Sequence, residues 1–277
     1  MILLDGKIVK EEKLKLLKIK INELPRKLGL AVIQVGDNPA SNIYIKNKEK
    51  MALLLNVNFN HIKYDEDVEE EEILKKIDEL NNDELIDGIL IQMPISKHLN
   101  ESIIQNRVLP SKDVDGLTDI NAGLLMHNKE CLIPCTPLGI LELLKHYEIN
   151  VKGKHVVIVG RSNLVGKPLH NLMLNNDATV TVCHSHTNNL SDITKLADIL
   201  VVAVGKPNLI TKDMVKENAV VIDVGINKVD DKLCGDVDFN SVKDITSYIT
   251  PVPGGVGQMT VLELFNNLYK TYNLKVK

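Results

Sequence analysis

The sequence predicts an α/β protein of two domains, each built on an open parallel sheet. Three observations carry this. Short runs rich in Val, Ile and Leu alternate with helix-forming stretches nearly throughout the chain, the pattern of repeated βα units. Several of these runs, such as VVIVG at 156–160 and ILVVAVG at 199–205, are nearly continuous, as expected for strands buried on both faces of a parallel sheet. A chain of 277 residues is also long for a single core, which favours two domains.

In the first half, LAVIQVG (30–36), VNFNHIKY (57–64) and DGILIQMP (87–94) read as strands, separated by helices near 41–55 and 67–81. The acidic run DEDVEEEEILKKIDEL at 65–80 reads as a solvated helix whose glutamates favour its N-terminal end. In the second half, KHVVIVG (154–160), ATVTVCHS (178–185), DILVVAVG (198–205) and AVVIDVG (219–225) are strands with helical segments between them. A boundary is expected near IPCTPLG, 133–139. The helix after PVPGGVGQMT (251–260) is expected to return to the first domain. The predicted domains are therefore 1–137 plus 259–277, and 138–258.

Composition narrows the function. Hydrophobic residues make up 44% and charged residues 25%, with a net charge of −4, so no long-range attraction draws the chain to nucleic acid. No uninterrupted apolar segment is long enough to cross a bilayer, and MILLDGKIVKEEKLK lacks a signal-peptide core. A cytoplasmic protein is expected. Cys131, Cys135, Cys183 and Cys234 form no CxxC and read as reduced, small apolar residues. Trp is absent, and six Tyr and three Phe leave a core mostly of Leu, Ile and Val.

VVIVGRSNLVGKPLHNLML, 156–174, runs strand, glycine turn, helix, an arrangement that turns backbone N–H groups and a helix N-terminus towards a pyrophosphate. Gly160 is followed by Arg161 and Ser162, and the next glycine is Gly166, so the spacing departs from G-x-G-x-x-G. Its place at the first strand of a four-strand alternating unit outweighs the bland reading, a tight turn without a ligand, and makes the second domain Rossmann-like. The next strand ends in His184 and Ser185, where an NAD site often carries an acidic residue for the ribose hydroxyls. Arg161 and Ser185 instead suit a 2′-phosphate, which favours NADP. His184 and His186 in CHSH lack a third ligand by spacing, and no metal site is expected. Asp113 and Asp115 in SKDVDG read either as a cation site or as a polar turn.

In SNIYIKNKEK, 41–50, helical spacing separates three lysines. Lys46 and Lys50 point away from Lys48, which shares a stripe with Tyr44, Ile45, Met51, Ala52 and Leu55. Ile43, Leu53 and Leu54 lie outside that stripe and imply broader burial. Alone, Lys48 reads as a lysine laying its stem on apolar surface with its ammonium in water.

Taken together, VGDNPASNIYIKNK, GILIQMP, PSKDVDGLTDINAG, IPCTPLG, VVIVGRSNLVGKPL, TVCHS, VIDVGIN, GDVDF and TPVPGGVGQMT resemble the methylenetetrahydrofolate dehydrogenase/methenyltetrahydrofolate cyclohydrolase family, in the family's order and over nearly the whole chain. The resemblance implies the compact bifunctional form, a homodimer acting on tetrahydrofolate derivatives with NADP. It implies that Lys48 is the catalytic lysine, Gln92 the glutamine that tunes it, Tyr44 the ring that stacks on folate and Asp115 the carboxylate that engages the pterin. Pro253, Gly254 and Gly255 correspond to a loop near folate and nicotinamide, and Gly160, Arg161, Ser162, Ser185 and Ile226 to the NADP site. A lysine titrating ordinarily near ~10.4 must come down by about three to work near neutrality, roughly 4 kcal/mol. Two stretches depart from the family: QMPIS, with Met93 and Ser96, replaces QLPLP, and Gln258 replaces a proline. Two alternatives stand beside this reading: another two-domain NADP dehydrogenase resembling shikimate dehydrogenase, which explains neither the Tyr44–Lys48 spacing nor PVPGGVG, and a folate- or NADP-binding sensor without catalysis.

Overall fold

A computed structural model describes residues 1–230 and 232–275. The last two residues of the expected 259–277 segment lie outside the described residues. The strands, in chain order, are β1 (Ile2–Leu3), β2 (Gly29–Val35), β3 (Asn58–Tyr64), β4 (Gly88–Gln92), β5 (His155–Val159), β6 (Thr179–Cys183), β7 (Ile199–Val202), β8 (Val220–Asp223), β9 (Asn227–Val229), β10 (Lys232–Cys234) and β11 (Tyr248–Ile249). They fall into two compact units, residues 13–135 with 261–277, and residues 1–12 with 136–260.

The first unit holds a three-stranded parallel sheet in the order β3-β2-β4. Every residue of β2 is buried, as its continuous apolar run requires of a central strand covered on both faces. Ile73, Ile77 and Leu80 of helix Glu70–Asn82 join Ile33, Val35, Ile89 and Ile91 in its core. Glu70, Glu71 and Glu72 occupy that helix's first turn, where the macrodipole favours anions. Its C-terminal end is closed by Lys112, whose buried Nζ donates to Leu80 O at 2.8 Å and Asp83 O at 2.7 Å. At the N-terminal ends of β2 and β4, fully buried Asp87 accepts two bonds of 2.7 Å from Arg26 and one of 2.9 Å from Gly29 N.

The second unit carries a six-stranded sheet, β1-β11-β8-β7-β5-β6, parallel throughout. Val157, Val159, Leu200, Val202 and Val221 form the centre of its core. β9 and β10 pair separately as an antiparallel hairpin.

Two expectations are corrected. Residues 1–12 group with the six-stranded unit, not with the first half, because Ile2 and Leu3 pair with Tyr248 and Ile249 and extend that sheet. A two-residue strand is too short for its sequence to show periodicity. Ile43, Leu53 and Leu54 are not buried: they are 63%, 83% and 55% exposed. Helix Pro39–Leu54 buries one face only, through Ile45, Met51 and Ala52, with Leu55 buried at its C-terminal end.

Candidate active site

The helix that carries Lys48 is fixed at its start. Asn38 Oδ1 accepts from Ala40 N at 2.9 Å and Ser41 N at 3.2 Å, and Pro39 fills the first helical turn, where its missing N–H costs nothing. Buried Gln34 on β2 donates to Asn42 Oδ1 at 2.8 Å and to Gly36 O at 3.1 Å. The C-terminal end of β2 thus holds the first turn of the helix, and Lys48 lies further along it.

Lys48 Nζ donates to Gln92 Oε1 at 2.7 Å. Gln92, at the C-terminal end of β4, donates its own Nε2 to Met93 O at 2.8 Å, which turns its oxygen towards the lysine. A neutral amide holds the amine without favouring the ammonium as a carboxylate would. Burial pulls the Lys48 pKa below its ordinary value, against the opposing pull of Asp115 and Cys135. The same burial pushes the Asp115 carboxyl up, while Lys48 draws it down and Asp113 adds to the rise. In both groups desolvation outweighs mutual attraction, so each is drawn towards its neutral form. Tyr44 is 44% exposed on the same helix, one turn before Lys48.

Asp115 is held by its surroundings. Asn267 of helix Val256–Lys275 donates to Val114 O and Ile133 O, both at 2.9 Å, which ties the segment before Asp115 to the segment before Cys135. The Cys135 thiol is buried, bonds to Asp115, and is pushed well above its usual pKa by burial first and by Asp115 second. Reading Cys135 as a small apolar residue missed this contact, and one cysteine in IPCTPLG carries no signal for it. Asp113 resolves as a turn residue. Its carboxylate accepts from Thr118 N at 2.8 Å, Asn121 Nδ2 at 2.9 Å and Gln105 Nε2 at 3.3 Å. Among the described residues no group of three or more His, Cys, Asp or Glu side chains is placed to hold a metal ion.

In the six-stranded unit, β5 is followed by Gly160, whose N–H donates to Cys183 O at 2.9 Å. This sets Arg161 and Ser185 at the same C-terminal edge of two adjacent strands, both exposed. Gly160 has φ +132°, and a Cβ there would lie 2.3 Å from Ala203 O. At Gly166, the first residue of helix Gly166–Leu174, a Cβ would lie 2.1 Å from Gly160 O. The two glycines therefore let the helix N-terminus close on the strand end, the packing a dinucleotide pyrophosphate site needs despite the altered spacing. Ser162 is exposed in the same turn, and Ile226, 53% exposed, follows β8 at the same edge. The residues present fit a nicotinamide dinucleotide. Pro253, Gly254 and Gly255 lie in this unit, where Gly6 N donates to Gly254 O at 2.9 Å.

Two family models match the chain: tetrahydrofolate dehydrogenase/cyclohydrolase, catalytic domain, over residues 4–115, and the NAD(P)-binding domain of the same family over residues 134–276. The chain belongs to the tetrahydrofolate dehydrogenase/cyclohydrolase family. Similarity to individual members of the family is equally extensive. The bifunctional protein FolD of Bacillus anthracis is 50% identical over 270 residues, covering 96% of this chain and 94% of that one. A crystal structure of the bifunctional FolD enzyme from Campylobacter jejuni is 45% identical, with a TM-score of 0.98 over 99% of each chain. The Trypanosoma brucei FolD, solved with NADP and an inhibitor, is 32% identical, with a TM-score of 0.95 over 100% of this chain and 99% of that one.

Of the residues the sequence singled out, Lys48 and Gln92 are in direct contact, and Asp115 acts electrostatically on Lys48. Gly160, Arg161, Ser162, Ser185 and Ile226 share one sheet edge of the other unit. The two departures from the family also acquire surroundings. Gln258 accepts from Lys10 Nζ at 3.4 Å, and Ser96 O accepts from Leu99 N at 3.1 Å in the turn after β4. No helix among the described residues is long and apolar enough to cross a membrane.

Proposed function

We propose that this protein oxidises methylenetetrahydrofolate to methenyltetrahydrofolate with NADP and then hydrolyses the product to formyltetrahydrofolate. The observation that carries the reading is Lys48, desolvated and bonded at 2.7 Å to a neutral glutamine. A sensor that only binds has no use for a lysine drawn towards its neutral form.

NADP, when bound, supplies the hydride acceptor. Departure of hydride from the methylene carbon needs no protein base, because the adjacent folate nitrogen donates its lone pair. The chain's contribution to that step is positioning. Tyr44 stacks on the folate, and Asp115 accepts hydrogen bonds from the pterin. Arg161 and Ser185 would hold the 2′-phosphate, Gly160 and Ser162 would border the pyrophosphate, Ile226 would lie at the nucleotide, and the 253–255 loop would pass close to folate and nicotinamide.

In the hydrolytic step, water adds to the methenyl carbon and neutral Lys48 accepts its proton. The resulting carbinol loses its hydroxyl proton as the carbonyl forms and one C–N bond breaks, and the departing folate nitrogen takes up a proton, which gives the formyl product. Gln92 orients the amine, and an uncharged Lys48 avoids repelling the cationic substrate at close range. The same reading takes the working form as a cytoplasmic homodimer associating through the nucleotide unit; sedimentation of the purified protein as a monomer would remove that part of it.

The test is Lys48→Met, which keeps the stem and removes the base. General-base catalysis is worth about 10²–10⁴-fold, so methenyltetrahydrofolate hydrolysis should fall by at least about 100-fold while the thermal transition is unchanged. Retained hydrolysis would remove Lys48 from this role.

A further inference from the structure

Two buried aspartates outside the site described above are spent almost wholly on backbone N–H groups. Asp236 is fully buried. Its Oδ2 accepts from Val204 N at 2.7 Å and Gly205 N at 3.0 Å, and its Oδ1 from Lys206 N at 2.8 Å and Asn227 Nδ2 at 2.9 Å. Three successive backbone N–H groups converging on one carboxylate form a nest, the geometry that otherwise receives a bound anion. Here the chain fills the nest itself. Asp223, at the end of β8, stands behind it: Oδ1 accepts from Gly225 N at 3.0 Å and Asp236 N at 2.9 Å, and Oδ2 from Val237 N at 2.9 Å.

The two carboxylates thereby fasten the loop after β7 and the loop after β8 to the GDVD segment, 235–238. Both loops lie at the C-terminal strand ends, where open α/β sheets take their ligands. The packing leaves no slack. A Cβ on Gly225 would lie 2.3 Å from Asp236 Oδ1, and one on Gly235 would lie 1.8 Å from Asp223 Oδ2. The arrangement is also electrostatically costly. Burial, with a further contribution from Asp236, pushes the Asp223 carboxyl up to about 6 despite its three N–H donors. Apolar packing could close two loops without burying two acids, so a requirement for loop shape accounts for them better than stability does.

We propose that Asp236, backed by Asp223, is a positioning residue for NADP: its carboxylate holds the 204–206 and 225–227 loops in the form that receives the nucleotide. This rests on the NADP reading above. The experiment is steady-state kinetics on the whole protein with NADP varied at saturating methylenetetrahydrofolate, run beside hydrolysis of methenyltetrahydrofolate, which uses no nucleotide.

Asp236→Asn replaces an acceptor oxygen with an N–H donor inside the nest. It should raise KM for NADP about tenfold, about 1.4 kcal/mol, and leave hydrolysis within about twofold. Asn227→Ala, which removes only the fourth bond, should raise that KM about threefold. A folded Asp236→Asn protein with unchanged KM overturns the proposal, as does a proportional fall in both activities, which marks a merely structural role. If Asp236→Asn does not fold, Asn227→Ala decides: an unchanged KM overturns the proposal and a selective rise supports it. Wild-type protein that fails to reduce NADP removes the NADP reading itself, whereas normal wild-type reduction with unaltered variants removes only this inference.

Discussion

At the scale of single residues, the chemistry turns on how Lys48 is kept from behaving like a surface lysine. Burial lowers its pKa, so its neutral fraction, and with it methenyl hydrolysis, should rise with pH and level off below the range of an ordinary amine. Gln92 is the residue to change. Gln92→Glu would set a carboxylate against Nζ, where the amide now sits at 2.7 Å, and an adjacent anion favours the ammonium. The sign is therefore fixed: the Lys48 pKa rises, and the hydrolysis profile should move to higher pH. Rates measured across pH on the methenyl substrate test this, and an unmoved profile would mean that Lys48 is not the titrating base. The sequence made Lys48 and Gln92 legible through their motifs. It did not make legible the thiol of Cys135 beside Asp115, because a buried contact between residues twenty apart leaves no periodicity behind.

At the scale of elements, close approach decides what the glycines tolerate. Gly166→Ala would drive a Cβ to 2.1 Å from a backbone oxygen, and overpacking of this kind costs about 1–3 kcal/mol. The variant should melt several degrees lower and bind NADP more weakly. Gly123, inside helix Asp119–Met126, has nothing within 4 Å of its Cβ position. Gly123→Ala should stabilise the protein by about 0.4–1 kcal/mol, chiefly by restricting the unfolded chain. Calorimetry on the pair separates the two effects, and equal shifts would refute the packing argument. At the opposite end of the three-stranded sheet, Arg26 makes two 2.7 Å bonds to fully buried Asp87. Arg26→Ala strips that carboxylate of its cation and should destabilise by about 3–5 kcal/mol, read from urea unfolding; a loss of under about 1 kcal/mol would reduce the pair to a surface ion pair. The long strands and helices around these sites were legible because their apolar runs are extended enough to show a period. β1, β11 and the β9–β10 hairpin were not, being two or three residues each.

At the scale of the whole molecule, neither compact unit is continuous in sequence. The three-stranded unit takes residues 261–277 as well as 13–135, and the six-stranded unit takes residues 1–12 as well as 136–260. GDVDF and PVPGGVG entered the reading only as blocks of the family resemblance, and nothing in MILLDG announced that it belongs to the six-stranded unit. That membership is created by pairing with Tyr248 and Ile249 and by the bond from Gly6 to Gly254, contacts of long sequence separation that local reading does not reach.

The pairing of β1 with β11 also sets an order of events during synthesis. Ile2 and Leu3 are made well before Tyr248 and Ile249, the strand they join. Until then their apolar side chains have no sheet to complete, and the 253–255 loop that Gly6 holds does not yet exist. Domains generally fold as units when their residues have emerged; here both units wait for the final helix and its flanking loop. Neither unit can complete its fold until the segment around 248–275 has been made.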